Sequence, residues 1–238
     1  MKEYLKRNIF KIIVLVIAIF FVAKFAGLKF LRMYVEAGVG TCAKVPILCM
    51  APSEAVIIDP PIDEAYKDEL VTYTLSKMRV SLPKGFSVTQ ELIKRPYYKK
   101  FKKKDKGAIA YVLYNAPGFL PHLFSDIAKQ GITNNYDFYK YILYANLNRM
   151  NNITDAFFVI LKGIFTPNLE NQLNVRMVKF TLGDRKGFLN YNLNHTDNYF
   201  DCNIFDPDGS YFKLYIKDRS GVLDLAKVFT IISTVKKN

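Results

Sequence analysis

An apolar block near the start of the chain constrains its fold most. Residues 12–23 include no charged or strongly polar side chain, and such a block is stable only inside a bilayer or a protein core. At ~1.5 Å per residue, the block is too short to cross a hydrocarbon layer of ~30 Å. A segment from about Ile9 to Leu28 is long enough, if Lys11 and Lys24 extend their ammonium groups to the headgroups. We therefore predict one N-terminal transmembrane anchor.

A cleaved signal peptide and a buried helix of a soluble protein are the two alternatives to an anchor. The short apolar block suits a signal peptide, but the best cleavage sequence, Val35-Glu36-Ala37, lies well beyond the block. Four cations precede the block, with the single acid Glu3, and three cations follow it. The preference for positive charge on the cytoplasmic side places the N-terminus in the cytoplasm and the C-terminal part of the chain outside it.

The rest of the chain has the composition of a folded domain. The chain is 50% hydrophobic and 15% aromatic, which excludes a disordered tail. Its net charge is +13, and residues 1–32 hold seven of the 34 cations and one of the 21 acids, so 27 cations and 20 acids, or +7, remain. This charge suits an anionic membrane surface or an acidic partner, and nucleic acid is a disfavoured partner for a domain outside the cytoplasm.

The pattern of strand and helix signals predicts an α+β domain, in which helices pack on an antiparallel sheet. Strand signals lie at 78–82, 86–88, 108–114, 175–182, 188–193, 199–205 and 211–216. The first two flank the turn Pro83-Lys84-Gly85 and predict a hairpin, and the last four predict two consecutive hairpins. Helical spacing predicts helices between 119 and 165, with Asn134 or Asn135 and Thr154 as caps, and a closing helix over 223–235.

Three segments follow from these patterns: a cytoplasmic stub and transmembrane anchor (1–32), a juxtamembrane connector (33–75) and the globular domain (76–238). Within the connector, Pro61 and the acids Asp63 and Glu64 predict a short helix that runs to about Leu75.

Two passages resemble a known family. Ser81-Leu82-Pro83-Lys84-Gly85-Phe86 and, after the strand-rich part, Phe229-Thr230-Ile231-Ile232-Ser233-Thr234-Val235 are similar to sequences of the PsbP-like α/β/α sandwich family and its bacterial members. The resemblance covers residues from about 78 to 238. It implies a binding or accessory module with no catalytic residues, not an enzyme.

The densest charge cluster is the basic segment, residues 94–106, in which eight cations and one acid are interspersed with three aromatic residues. The residues that we predict to bind a polyanion or lipid are Lys94, Arg95, Lys99, Lys100, Lys102, Lys103, Lys104 and Lys106. Anionic lipid, an acidic envelope polymer and nucleic-acid phosphates are possible ligands. The alternative is a solvated hairpin loop, with Tyr97 and Phe101 packed on the core.

The sequence predicts no catalytic motif, metal site or cofactor. Cys42 and Cys49 could form a disulfide outside the cytoplasm, remain free thiols or, less favourably, contribute to a metal site. Cys202 lies in an alternating strand pattern and is predicted to be buried. His122 and His195 lack a neighbouring nucleophile or orienting acid and are interpreted as surface or capping residues.

We derive three functional hypotheses. The first is a membrane-anchored, non-catalytic protein whose extracytoplasmic domain binds a protein partner or an anionic envelope component. The second is an envelope hydrolase with a site built from distant His, Asp and Tyr residues. The third is a lipid- or polyanion-binding module that uses the basic segment.

Overall fold

The computed structural model describes residues 26–75, 77–91, 98–103, 108–124, 131–166, 174–193 and 198–238. The chain divides into two compact units. Unit 1 comprises residues 1–49 and 145–170, and unit 2 comprises residues 50–144 and 171–238. Unit 1 is therefore built from two separate stretches of the chain.

The fold is α+β. In chain order, its elements are α1 (26–39), a 3-10 turn (Pro46–Cys49), β1 (Val56–Ile58), α2 (Glu64–Lys67), β2 (Leu70–Thr74), β3 (Met78–Pro83), β4 (Phe86–Glu91), β5 (Tyr98–Lys103), β6 (Ile109–Asn115), α3 (Phe119–Leu123), α4 (Asn135–Tyr144), a 3-10 turn (Leu147–Arg149), α5 (Ile153–Phe165), β7 (Arg176–Leu182), β8 (Arg185–Asn192), β9 (Asn198–Phe205), β10 (Tyr211–Asp218), α6 (Leu225–Thr234) and β11 (Lys236–Lys237).

Unit 2 contains an eight-stranded and a three-stranded sheet. The large sheet has the order β1-β7-β8-β9-β10-β6-β5-β4, and the small sheet has the order β11-β3-β2. The pairs from β7 to β4 are antiparallel, whereas β1 runs parallel to β7. The large sheet is therefore mixed and not purely antiparallel as predicted. The predicted strands of the last third are confirmed, and the strand signal at 108–114 corresponds to β6, which lies between β10 and β5.

The main core of unit 2 lies between one face of the large sheet and a layer formed by α6, α2 and the small sheet. Phe229 of α6 packs edge-on against Phe180 of β7, with ring centroids 5.4 Å apart. Cys202 is 1% exposed and belongs to this core, as predicted, and burial raises the pKa of its thiol. The closing helix is confirmed, and it starts where the Asp224 carboxylate accepts a hydrogen bond from the Lys227 amide.

Helix α4 packs on the opposite face of the large sheet. Its Tyr136 and Tyr139 rings contact the Phe188 and Phe205 rings at centroid distances of 5.3–6.0 Å. Asn134 caps this helix by accepting a hydrogen bond from the Asp137 amide at 2.8 Å, which agrees with the predicted cap. Unit 2 thus has helices on both faces of its large sheet.

Unit 1 contains α1, α5 and the two 3-10 turns. Asn152, and not the predicted Thr154, caps α5 by accepting a hydrogen bond from the Asp155 amide. Gly163 of α5 lies against Val39 of α1, since a Cβ atom at Gly163 would be 2.9 Å from the Val39 side chain. Lys162 is fully buried, donates a hydrogen bond to the Ala145 carbonyl at 2.8 Å and has its pKa lowered to about 7 by burial.

Two predicted local structures are wrong. The strands flanking the turn Pro83-Lys84-Gly85 exist, but they do not form a hairpin, because β3 pairs with β2 and β11 while β4 pairs with β5. The predicted helix from Pro61 to Leu75 lasts only for the four residues of α2, and β2 replaces its second half. The β-branched and aromatic residues of β2, Val71, Thr72 and Tyr73, favour an extended backbone.

The predicted span from about Ile9 to Leu28 lies mostly outside the described residues. Among those that the structure does describe, none of the helices combines the length and the apolar character needed to cross a bilayer. Helix α1 continues past Arg32 to residue 39. Residues 50–75, assigned to the connector on sequence grounds, provide β1, α2 and β2 of unit 2.

Substitution of Gly187 by alanine should destabilise unit 2. A Cβ atom at Gly187 in β8 would lie 2.1 Å from the Phe180 ring and 2.7 Å from the Asn203 carbonyl oxygen. Such overpacking costs about 1–3 kcal/mol, and denaturant unfolding of the Gly187→Ala variant measures it. The matched control is Gly38→Ala in α1, where a Cβ atom meets nothing within 4 Å. Equal unfolding midpoints for both variants would contradict the described packing of β8.

Candidate functional site

Away from Phe188 and Phe205, which pack against α4, the second face of the large sheet is polar and basic. Directly opposed residues of paired strands point to the same side of a sheet, so the register identifies its members. One row across the sheet is Lys100, Tyr111, Tyr215, Asp201 and Asn190. The row on one side of it includes Lys102, Ile109, Lys217 and Tyr199, and the row on the other side includes Leu113, Lys213 and Asn203.

We name the more exposed part of this surface the Lys–Tyr face. It consists of Lys100, Lys102, Tyr111, Lys213, Tyr215 and Lys217. Lys102 is exposed and the other five residues are half-buried. The Lys100 ammonium lies 5.3 Å from the centroid of the Tyr111 ring, which in turn lies 5.7 Å from the Tyr215 ring. Cation–π attraction and ring packing thus order the middle of the face.

The Lys–Tyr face borders a buried polar cluster formed by Asn190, Asp201, Asn203 and Tyr211. Asp201 is 0% exposed, and its Oδ1 atom lies 3.0 Å from the Lys213 ammonium. The side-chain amide of Asn190 donates a hydrogen bond to Asp201 Oδ2 at 3.2 Å, and that of Asn203 does so at 3.5 Å. A buried carboxylate is tolerated when a cation and hydrogen-bond donors surround it, and these three side chains meet that requirement.

Tyr211 of the cluster and Tyr139 of α4 keep uncharged hydroxyl groups beside Asp201. The Tyr211 hydroxyl donates to Asn203 Oδ1 at 2.7 Å. Burial raises the pKa of Tyr211 and Tyr139, and the nearby Asp201 charge raises both further. Both hydroxyls therefore stay protonated at neutral pH, which keeps negative charge off the cluster apart from Asp201.

Charge on this surface is strongly asymmetric. Four lysines belong to the Lys–Tyr face. Among the described residues of the three rows, Asp201 is the one acidic residue. Asp201 is buried beside Lys213, so its charge offsets the lysine nearest to it. The positive charge of Lys100, Lys102 and Lys217 lies farther along the sheet, where the side chains reach solvent.

The structure places only part of the predicted basic segment in this surface. Lys100 and Lys102 belong to it, and Phe101 between them is fully buried, as expected for a residue packed on the core. Lys99 and Lys103 lie in β5, where the structure describes the backbone and not their side chains. Lys94, Arg95, Tyr97, Lys104 and Lys106 lie outside the described residues.

Sequence reasoning missed Lys213, Tyr215 and Lys217 of β10 and Tyr111 of β6. Each alternates with apolar residues, and β10 reads Tyr-Phe-Lys-Leu-Tyr-Ile-Lys-Asp. A period of two with lysine and tyrosine on one side and apolar residues on the other was the available signal. This pattern predicts the strands, but it does not show which strands pair to form one surface.

The other predicted residues are more scattered. His122 lies in α3, whereas His195 is outside the described residues. Two surface grooves of unit 2, of about 400 and 340 Å³, do not include His122 among their described lining residues. No group of three or more His, Cys, Asp or Glu residues in the described part of the chain is arranged to hold a metal ion.

Cys42 and Cys49 come together in unit 1. Their Cα atoms are 5.7 Å apart and their sulfur atoms lie within bonding distance. This Cα separation lies within the range of protein disulfides, roughly 4.4–6.8 Å.

No protein-family model matches this chain, and a comparison with curated proteins found no match. Its function therefore has to be inferred from the geometry described above.

Removal of the cation from the Lys213–Asp201 ion pair should destabilise unit 2. The Lys213→Met variant keeps the length of the side chain but leaves the Asp201 carboxylate buried without its cation. Loss of one partner of a buried pair costs about 3–5 kcal/mol, and equilibrium unfolding in urea measures the loss. Lys217→Met, two residues along the same strand, is the matched control. Similar small losses in both variants would show that the Asp201 charge does not depend on Lys213.

Proposed function

We propose that this chain is a membrane-anchored, non-catalytic binding protein, and that the Lys–Tyr face receives an anionic group of a partner in the cell envelope. One observation supports the proposal most strongly. Among the described residues, four lysines share one partly exposed sheet face with two tyrosines and a single buried acid. A surface of one sign of charge attracts ligands of the opposite sign and raises their rate of association.

The form of the face suits a repeating anionic polymer better than a compact ion. Its lysines come from two strands, β5 and β10, which flank β6. Neighbouring strands lie ~4.8 Å apart, so the ammonium groups are spread over the sheet and do not converge on one point. Lysine ammoniums also act as mobile point charges and do not impose a fixed binding geometry. An acidic envelope polymer, with charges at repeated intervals, fits this arrangement.

The anchor gives this binding surface its location. The apolar residues 12–23 and the cations on both sides of them support one N-terminal span, with the N-terminus in the cytoplasm and the chain that follows the span outside it. A tethered domain meets surface ligands at a high effective concentration. Weak individual contacts from lysines are sufficient under that condition.

The resemblance of residues 78–238 to the PsbP-like family supports a role without catalysis, because that family implies a binding or accessory module. We extend the proposal to the fold and assign unit 2 to a PsbP-like sandwich. The helices that pack on both faces of its large sheet agree with such an arrangement.

Reversal of charge on the Lys–Tyr face should weaken polyanion binding. The variant combines Lys100→Glu, Lys102→Glu and Lys217→Glu and leaves the Lys213–Asp201 pair intact. The probe is dextran sulfate, titrated into the full chain in neutral detergent micelles at several salt concentrations. Each lost ionic contact lowers the slope of log K against log salt by about 1. We expect affinity to fall by more than tenfold and the slope by about 2–3.

The control variant changes the same net charge elsewhere in unit 2. It combines Lys67→Glu, Lys84→Glu and Lys236→Glu, all at exposed positions. If the control binds dextran sulfate almost normally while the first variant loses most of its affinity, the result supports the Lys–Tyr face as the binding site. Equal losses in the two variants would show that binding follows net charge alone and would refute the proposed site.

The Cys42–Cys49 disulfide follows from the proposed location, because the space outside the cytoplasm is oxidising. Protein prepared from membranes without reductant should resist alkylation at both residues until a reductant is added, and Cys202 should react only after unfolding. Peptide mass spectrometry measures each site, and a Cys202→Ala variant confirms the assignment of the buried thiol. Rapid alkylation of Cys42 and Cys49 in untreated, folded protein would contradict both the bridge and the outside location.

A further inference from the structure

Helix α5 of unit 1 has an apolar stripe on its outer side. Ile153, Phe157, Ile160 and Ile164 recur at steps of four, three and four residues, which places them on one side of an α-helix. Ile153 is 76% exposed and Ile164 is 67% exposed, while the two residues between them are half-buried. The stripe therefore runs along the whole helix and reaches solvent at both ends.

Helix α1 repeats this spacing. Ala26, Phe30, Met33 and Ala37 also recur at steps of four, three and four residues, and all four are exposed. Phe30 is 71% exposed and Met33 is 56% exposed, and Tyr34 beside them is also exposed. Both helices of unit 1 thus turn large apolar side chains outward.

The inner side of α5 is buried by packing within unit 1. Phe158, Val159, Leu161 and Lys162 are buried, so α5 is apolar on the face that packs in unit 1 and on the outward face. A helix that is apolar nearly all round belongs in a protein core or against lipid. We therefore expect another apolar surface to cover the outward stripe.

We infer that the outward stripes of α1 and α5 lie in the interface of a lipid bilayer. This inference rests on the proposed membrane anchor and adds a second site of membrane contact. Residues 24 and 25 separate the apolar block of residues 12–23 from the first described residue, Ala26, which already belongs to α1. The described part of unit 1 therefore follows closely in sequence on the segment that we assign to the membrane.

The residues around the stripes fit a bilayer interface. Phe30 and Tyr34 are aromatic, and Lys29 and Arg32 are exposed cations of the same helix. Aromatic rings favour the level of the headgroups, and cations favour anionic lipids. The 13 residues of α5 span ~20 Å, which is shorter than a hydrocarbon core of ~30 Å. Helix α5 therefore lies along the interface and does not cross the membrane.

Tryptophan fluorescence can test this contact directly, because the chain has no tryptophan. Ile153→Trp and Ile164→Trp each introduce a single probe in the stripe of α5. Phe30→Trp exchanges one aromatic ring for another on α1. It provides a probe of the α1 stripe if an α5 variant fails to fold. The control is Val222→Trp in unit 2, at a position that is 51% exposed.

The full chain is reconstituted into vesicles of phosphatidylcholine and phosphatidylglycerol, with and without brominated acyl chains. The apolar face of an interfacial helix lies ~5–10 Å into the headgroup and acyl boundary, so brominated chains should reduce the stripe emission by about half. Emission from the Val222→Trp control should stay nearly unchanged. An alkaline wash of the same vesicles measures anchoring separately.

The possible results separate the two proposals. Protein that stays in the washed vesicles without quenching of the stripe probes retains the anchor but overturns the interfacial contact. Blue-shifted, unquenched emission would show that the N-terminal segment or a second copy of the chain covers the stripe, and would also overturn the inference. Release of the protein by the wash, without quenching, would refute both. Equal quenching of stripe and control probes would refute a specific orientation.

Discussion

The antiparallel pairing of β10 with both β6 and β9 is the constraint on which unit 2 depends. It aligns alternate residues of three strands, so that Val112, Cys202 and Leu214 belong to one face while Tyr111, Asp201 and Tyr215 belong to the other. A shift of one residue in this register would turn lysines into the core and expose apolar side chains. Core packing and the charged surface are thus two results of the same pairing.

The buried pair of Lys213 and Asp201 links these two results. Asp201 lies on the polar face but is completely buried, and it is tolerated because Lys213, Asn190 and Asn203 surround it. An alternative register would separate the carboxylate from these partners. Separation of the pair would leave an uncompensated buried charge, and this cost favours one alignment of the three central strands. The lysines outside this pair remain directed to solvent and define the surface that we assign to binding.

Local signals in the sequence predicted the elements better than their partners. The closing helix and the four strands of the last third carry clear periodicity, and a short apolar run marks the strand over Ile109–Asn115. The structure has all of them. The turn Pro83-Lys84-Gly85 indicated a reversal of the chain but not that β3 and β4 join different sheets. Instead of pairing with β4, β3 pairs with the preceding strand β2 and with β11 near residue 236. The candidate surface was missed for the same reason. Lys100 and Lys217 become neighbours only through β6, and a linear charge cluster does not contain that information.

The division of the chain into units determines the order in which the protein can fold. Unit 1 joins residues 26–49 to residues 145–166, and the Asn146 side-chain amide donates a hydrogen bond to the Cys49 carbonyl across that junction. Closing a long flexible loop costs conformational entropy before any contact compensates for it. Unit 1 therefore cannot assemble until the intervening chain has been synthesised, although α1 is made first. Helix α1 must wait for its partner α5, and under the membrane contact that we propose, the bilayer would protect its apolar stripe during that interval.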